Sequence, residues 1–316
     1  VDNASVFTRC TIAGNTATTG GGVRTEGCAP TFNGCSIIGN STTLDISYLG
    51  HTGGGVFIGG NPAPTFANSI IAGNIAVRAG GVVAVGCDNL ITNSIIYANE
   101  ALHDAGGIFV TTQGNTELRN SIVLGNQDVL GTGEMSQIRL ENNGATGSID
   151  VSHSIIEHWS GQFGGTNNSG IDPRWVSPFG EDGIAGTFDD DLHLHPTSPC
   201  IDAGDNANVY GETDIDGDQR FLDDPYTDDT GSGQGPIVDI GPDEYVVALT
   251  GDVGPRLWME SGMPSCMFDD MDNWLPGEVP DFDNLAMFEV EGEANVCLSE
   301  DTTVEQLIVA NGDIYI

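Results

Sequence analysis

The sequence predicts an all-β solenoid of stacked coils, and three observations carry that reading. A nine-residue phrase recurs six times within the first 160 residues, a glycine-rich corner follows four of the copies, and the apolar residues recur at strand rather than helix spacing. The copies run Phe7 to Asn15, Phe32 to Asn40, Phe66 to Asn74, Ile91 to Asn99, Leu118 to Asn126 and Val151 to Trp159. Five of them end in asparagine, at Asn15, Asn40, Asn74, Asn99 and Asn126, with intervals of 25, 34, 25 and 27 residues. One interval is one coil, and the long one marks an insertion between Asn40 and Gly53. A helical solenoid is the rival, but 45 glycines in 316 residues and the β-branched runs argue against it.

Each element follows from its residues. The column Cys10, Cys35, Ser69, Ser94, Ser121, Ser154 is small, and the column Ile12, Ile37, Ile71, Ile96, Val123, Ile156 is β-branched. Residues two apart on a strand share a face, so both columns are expected to point into the stack, with the small side chains there as packing. Branched side chains piled at a strand spacing of roughly 4.8 Å make an apolar ladder that one coil alone cannot bury. The corners are Gly20 to Val23, Gly53 to Val56, Ala79 to Val82 and Ala105 to Ile108. Glycine allows close backbone approach there, and asparagine bonds neighbouring backbone from its side chain. The five asparagines are therefore expected to stack as one hydrogen-bonded ladder.

The S-I-I-x-G-N phrase with its G-G-G-[VI] corner resembles the right-handed parallel β-helix repeats of the pectate-lyase-like and polymorphic-outer-membrane-protein kind, found in large secreted bacterial proteins. The resemblance covers residues 1–160 and implies that fold. It leaves function open, because the scaffold hosts lyases, hydrolases, adhesins and structural stalks.

Trp159 replaces the final asparagine and reads as a cap on the last coil, so residues 161–247 are expected to be a separate, acidic, loop-rich capping module. The runs Ser198 to Asp205, Asp214 to Arg220 and Asp239 to Tyr245 resemble a module that often follows β-helix repeats in secreted bacterial proteins. Asp214, Asp216 and Asp218 alternate around a glycine, an oxygen-rich spacing that suits calcium, though Pro225 occupies the last ligand position of an EF-hand. The alternative is an ordinary turn in which Arg220 pairs with these acids. Asp182, Asp189 and Asp191 form a second, degenerate candidate, with Pro178 and Gly180 at the first ligand positions. His193 and His195 alternate on a strand beside Asp189 and Asp191, short of the ligand number zinc takes.

Residues 248–316 resemble the opening of an autotransporter-like β-solenoid module, carried by Asn273-Trp274, Pro276-Gly277, Pro280 and Asp283 to Phe288. Alternating apolar residues from Val304 to Ile316 support strands. The repeat is under way by Phe7, so an export signal is expected upstream, and the solenoid ends are expected to continue into more chain or to stack on neighbouring copies.

There are 46 acidic residues against eight arginines and no lysine, a formal charge of -38. Such a chain is not steered to nucleic acid or anionic lipid, and no apolar run is long enough to insert into a membrane. Seven cysteines leave at least one unpaired; Cys10 and Cys35 lie on adjacent coils at bridging distance, while Cys266 and Cys297 are the better disulfide candidates. A β-helix lyase needs clustered basic residues, and here Arg9, Arg24, Arg78, Arg119 and Arg139 form no column. A glycosidase needs neighbouring carboxylates, and no two acids share a phrase position on adjacent coils. The expected function is a non-catalytic extracellular or cell-surface structural rod or adhesin-like stalk, with calcium as its cofactor. The alternative is a carbohydrate-binding or polysaccharide-degrading β-helix, with Tyr48, Phe57, Tyr97 and Phe109 as its sugar platform and loops at Thr42 to Thr52, Asn61 and Gln113 as its cleft.

Overall fold

A computed structural model of the chain describes residues 5–43, 52–60, 63–111, 114–141 and 147–246, and the backbone of four strands beyond them. Among the described residues of 1–160 the strands pair only in parallel, one coil onto the next, and build four sheets. The first runs from Val6–Thr8 through Thr31–Asn33, Thr65–Ala67, Asn89–Thr92 and Gly114–Arg119 to Gly147–Ser152. The second joins Thr11–Ala13, Ser36–Ile38, Ile70–Ala72, Ile95–Tyr97, Ile122–Leu124 and Ile155–Ile156. A third of four strands contains Thr16–Ala17 and Glu100–Asp104, and a fourth of five contains Val23–Glu26 and Ile138–Leu140. The repeat phrase therefore supplies the first two sheets, and the glycine corner leads into the fourth.

Register places like on like. Ile37 pairs with Ile71, Ile71 with Ile96 and Ile96 with Val123, all fully buried. Removing each from water contributes roughly 1.5–3 kcal/mol. Phe7, Phe32 and Phe66 stack with centroids 4.8 and 4.9 Å apart and rings within 9° and 3° of parallel. The asparagines form a continuous ladder: the Nδ2 of Asn15, Asn40, Asn74 and Asn99 each donates to the next Oδ1 at 3.0, 3.1, 2.9 and 2.9 Å. Each receiving Oδ1 also accepts the preceding coil's backbone N–H, which satisfies a buried corner amide.

Beyond Asn126 the ladder does not stop at the missing sixth asparagine. Asn126 Nδ2 donates to Gln137 Oε1 at 2.8 Å, and Gln137 Nε2 donates to Glu157 Oε2 at 2.8 Å. The serine column is more than packing: Cys35, Ser69, Ser94 and Ser121 each donate a backbone N–H to the hydroxyl of the next coil's serine, at 3.0 to 3.2 Å. Asn168 Oδ1 closes that series on Ser154 N.

The acidic segment does not stand apart from the solenoid but packs onto it. Residues 1–245 are one compact unit and 246–316 another. From Trp175 onward the chain lies as a strap along the outer face of the second sheet. Trp175, Leu192, Leu194, Cys200, Ile201 and Ile240 share a buried cluster with Ile38, Ala72, Ile95, Tyr97, Ile122 and Ile155. The second sheet is thus covered on both faces, and its outer isoleucines are core.

In the second unit, the strands Trp274–Leu275, Arg256–Trp258, Leu285–Asn295 and Gln306–Tyr315 lie in that order in one sheet, and the last three pair in parallel. Cys266 and Cys297 fall outside the described residues, as do Tyr48, Asn61 and Gln113. Cys10, Cys28, Cys35, Cys87 and Cys200 are free thiols.

Candidate functional site: carboxylate clusters on the strap

A second column of left-handed residues positions the strap. Arg9, Gly34, Asn68, Asn93, Asn120 and His153 occupy the bend between the first two sheets, with φ between 44° and 65°. This conformation turns their side chains outward, where asparagine is tolerated and can bond neighbouring backbone. Asn120 Nδ2 donates to Asp205 O at 3.0 Å and its Oδ1 accepts Asp205 N at 2.8 Å. Asn68 Nδ2 donates to Tyr210 O, and His153 Nε2 meets Ser232 Oγ at 2.8 Å. The column is visible in the sequence, where the third phrase position reads Arg, Gly, Asn, Asn, Asn, His beside the terminal asparagines.

The three motifs of the acidic segment meet under this column. Arg220 is fully buried; its guanidinium donates to Glu244 Oε1 at 2.6 Å, to Asn68 Oδ1 at 2.8 Å and to the carbonyl of Gly241 at 2.8 Å. Arg220 therefore serves Glu244 and the solenoid, not the Asp214 run as the turn alternative had it. Asp239 accepts the amides of Asp202 and Tyr245, at 2.7 Å each. Burial drives the Asp239 carboxyl up to about 8, and drives Glu244 up despite its arginine partner.

Asp214, Asp216 and Asp218 do not converge. Asp214 is buried, with Oδ1 accepting the amides of Asp216, Gly217 and Asp218 and Oδ2 accepting that of Glu244. Its carboxylate shapes the loop from within. Asp216 turns instead to His193, at 2.8 Å, and Asp191 meets the other ring nitrogen at 2.5 Å. Asp189 accepts the hydroxyl of Thr187 first and then the amides of Asp182 and Glu181, which hold its carboxyl below the usual range. Asp182 accepts Ile184 N, so the second run of acids is also a set of turn caps. His195 bonds Thr197 and takes no part with His193.

Among the described residues, two groups of three side chains bring their ligand atoms within 4.8 Å of one another: His193 with Asp216 and Asp243, and Asp202 with Asp223 and Asp229. The first lines a cleft of about 410 Å³ with Arg9, Ser36 and Asp190. Burial pulls the His193 imidazole down, but its bonds and charges from Asp191, Asp243 and Asp216 outweigh that and raise it to about 9. It is an imidazolium at neutral pH, and the group carries its own cation. Burial raises the neighbouring Asp243 carboxyl to about 6.

The second group has no internal cation. Asp202 is fully buried, and neither carboxylate oxygen makes a well-formed hydrogen bond, the backbone of Asp224 offering only a weak contact. Burial first, then Asp224, Asp223 and Asp229, push its carboxyl up to about 7, with the backbone of Asp224 offsetting part of the rise.

The repeats carry charge clusters as well, contrary to expectation. Arg78 and Arg139 both reach Asp104, at 2.9 and 3.1 Å, and Arg119 bridges the register partners Glu117 and Asp150. With Glu141 3.9 Å from Arg78 the first network balances its charges, while the second keeps one carboxylate in excess. Tyr97 and Phe109 are buried, Tyr97 under Trp175 and Phe109 beneath Arg78, so neither serves an exposed sugar platform.

Parallel coils with stacked polar ladders and an apolar interior define a β-helix solenoid. The chain belongs to the right-handed β-helix family: residues 1–160, half of its length, match the family described as right handed beta helix region. No curated protein and no solved structure matches the chain.

Proposed function

We propose that this protein is a non-catalytic, calcium-stabilised structural or surface-display rod that works outside the cell. The supporting observation is the strap: it fastens to the bend column from Asn68 to His153 with hydrogen bonds and covers one sheet with a shared apolar cluster. A solenoid whose coils are held by core, ladders and an external strap resists bending and shear, as a stalk must. The charge of -38 keeps such a surface soluble in salty, divalent-rich surroundings and away from nucleic acid. Labelling of intact cells by antibody to the strap is the expected result; labelling only after permeabilisation overturns the extracellular reading.

The alternative is a carbohydrate-binding or polysaccharide-degrading β-helix. It draws on the cleft where Asp216 and Asp243 approach each other beside Arg9, a separation small enough for paired-carboxylate chemistry. A glycan array and turnover assays on uronate polymers and neutral glycans decide between the two. Turnover that is lost in Asp243→Asn refutes the rod as the whole function.

A further inference from the structure

We propose that Asp202, Asp223 and Asp229 bind a calcium ion, and that this site, not the Asp214 run, is where the cation acts. The proposal deepens the calcium-stabilised reading by giving it a place.

Three side-chain oxygens lie within 4.8 Å of one another there, one from a fully buried aspartate and two from exposed ones. Proximity of acids alone means little on a chain this acidic. The distinguishing feature is Asp202: among the described residues it is the one carboxylate with both oxygens buried and neither in a well-formed hydrogen bond, with only a weak contact from the backbone of Asp224. A buried carboxylate in that condition is costly unless something positive faces it. Every other buried acid of the three motifs has its partner. Asp214 holds four amides, Asp239 holds two, and Glu244 holds Arg220.

The surrounding backbone holds the three acids in place. Asp202 sits in the left-handed region at φ 51°, with its amide on Asp239 Oδ1 and its carbonyl accepting Thr230 N and Gly231 N at 2.9 and 3.0 Å. Those last two bonds bring Asp229 alongside. Asp224 accepts Tyr226 N and the Thr227 hydroxyl, closing the turn that presents Asp223 and Asp229 on the same side. The donors are all oxygen, two of them on a solvent-facing turn, which suits the larger, geometrically tolerant calcium ion better than magnesium or zinc. Three carboxylates on an open site correspond to an affinity on the order of 10⁻⁴ to 10⁻³ M, that of extracellular calcium modules.

The test uses the full chain, melted in chelator and in calcium chloride at about ten times that affinity, with magnesium chloride as a parallel arm. Calcium is expected to raise the midpoint by about 4 °C, what a several-fold excess of ligand gives a unit of this size. Asp223→Asn/Asp229→Asn alters only exposed side chains, so the variant folds, and it is expected to lose the calcium shift. Asp216→Asn/Asp218→Asn is expected to keep it. The site is refuted if the wild-type midpoint does not move, if the shift survives in the first variant, if it disappears in the second instead, or if magnesium gives an equal shift. Failure of the rod reading shows up elsewhere, in glycan turnover or in cell labelling, so the two are separable.

Discussion

Asn99 shows how much one side chain carries in this fold. It accepts the amide and the Nδ2 of Asn74 and donates to Ile71 O and Asn126 Oδ1, all inside the protein. Asn99→Ala strands several buried donors at once and is expected to cost about 2–4 kcal/mol, read as a lowered urea midpoint at unchanged slope. His193 provides a pH test. Asp191, Asp216 and Asp243 face it across the cleft, with Arg9 on the solenoid side, and its folded value of about 9 lies above the ordinary 6.5. A raised histidine stabilises the fold fully below about 6.5, and that contribution is lost as pH climbs through 9. Asp243, raised to about 6, acts in the same direction at lower pH, because its folded form holds a proton that the unfolded chain releases. The melting midpoint of chelated protein should therefore fall between pH 6.5 and 9.5, and the fall above pH 6.5 should shrink in His193→Gln. An NMR titration placing His193 near 6.5 would contradict this.

At the scale of elements, the strap is the least legible part of the molecule. The solenoid sheets follow from period and alternation because every coil repeats the same local problem. The strap repeats nothing, and its acids look alike in sequence whether they cap turns or face a void. Two signals did exist. Phrases such as Ser69-Ile70-Ile71 and Ser121-Ile122-Val123 put branched residues on both sides of the strand, a pattern of sheets covered on both faces. The third phrase position repeats asparagine where a left-handed residue must point outward. Neither says which segment does the covering, since Arg220 finds Asn68 across 152 residues. Removing that arginine tests the strap as a unit. Arg220→Met leaves Glu244 buried without its cation and is expected to cost about 3–5 kcal/mol. Hydrogen exchange should rise across residues 198–245 while the amides of the first sheet stay protected; uniform loosening would argue against a distinct strap.

At the scale of the whole molecule, 46 acids face eight arginines, several of them already held in pairs. Self-repulsion should make stability climb with sodium chloride between about 0.01 and 0.15 M, where the screening length falls from roughly 30 to 8 Å. A flat response would mean that the charges sit too far apart to matter. The covering of the second sheet also has a consequence in time. Ribosomes deliver the coils first, and the segment carrying the strap follows from residue 161 to residue 245, so 85 residues separate the finished stack from its finished cover. At about 5–20 residues per second that interval is roughly 4–17 s. Until Trp175 and the covering residues after it up to Ile240 have emerged, the stripe of Ile38, Ile95, Tyr97, Ile122 and Ile155 lacks its full cover on the nascent chain. Holding that stripe away from its neighbours during synthesis is the hazard that this order of assembly builds in.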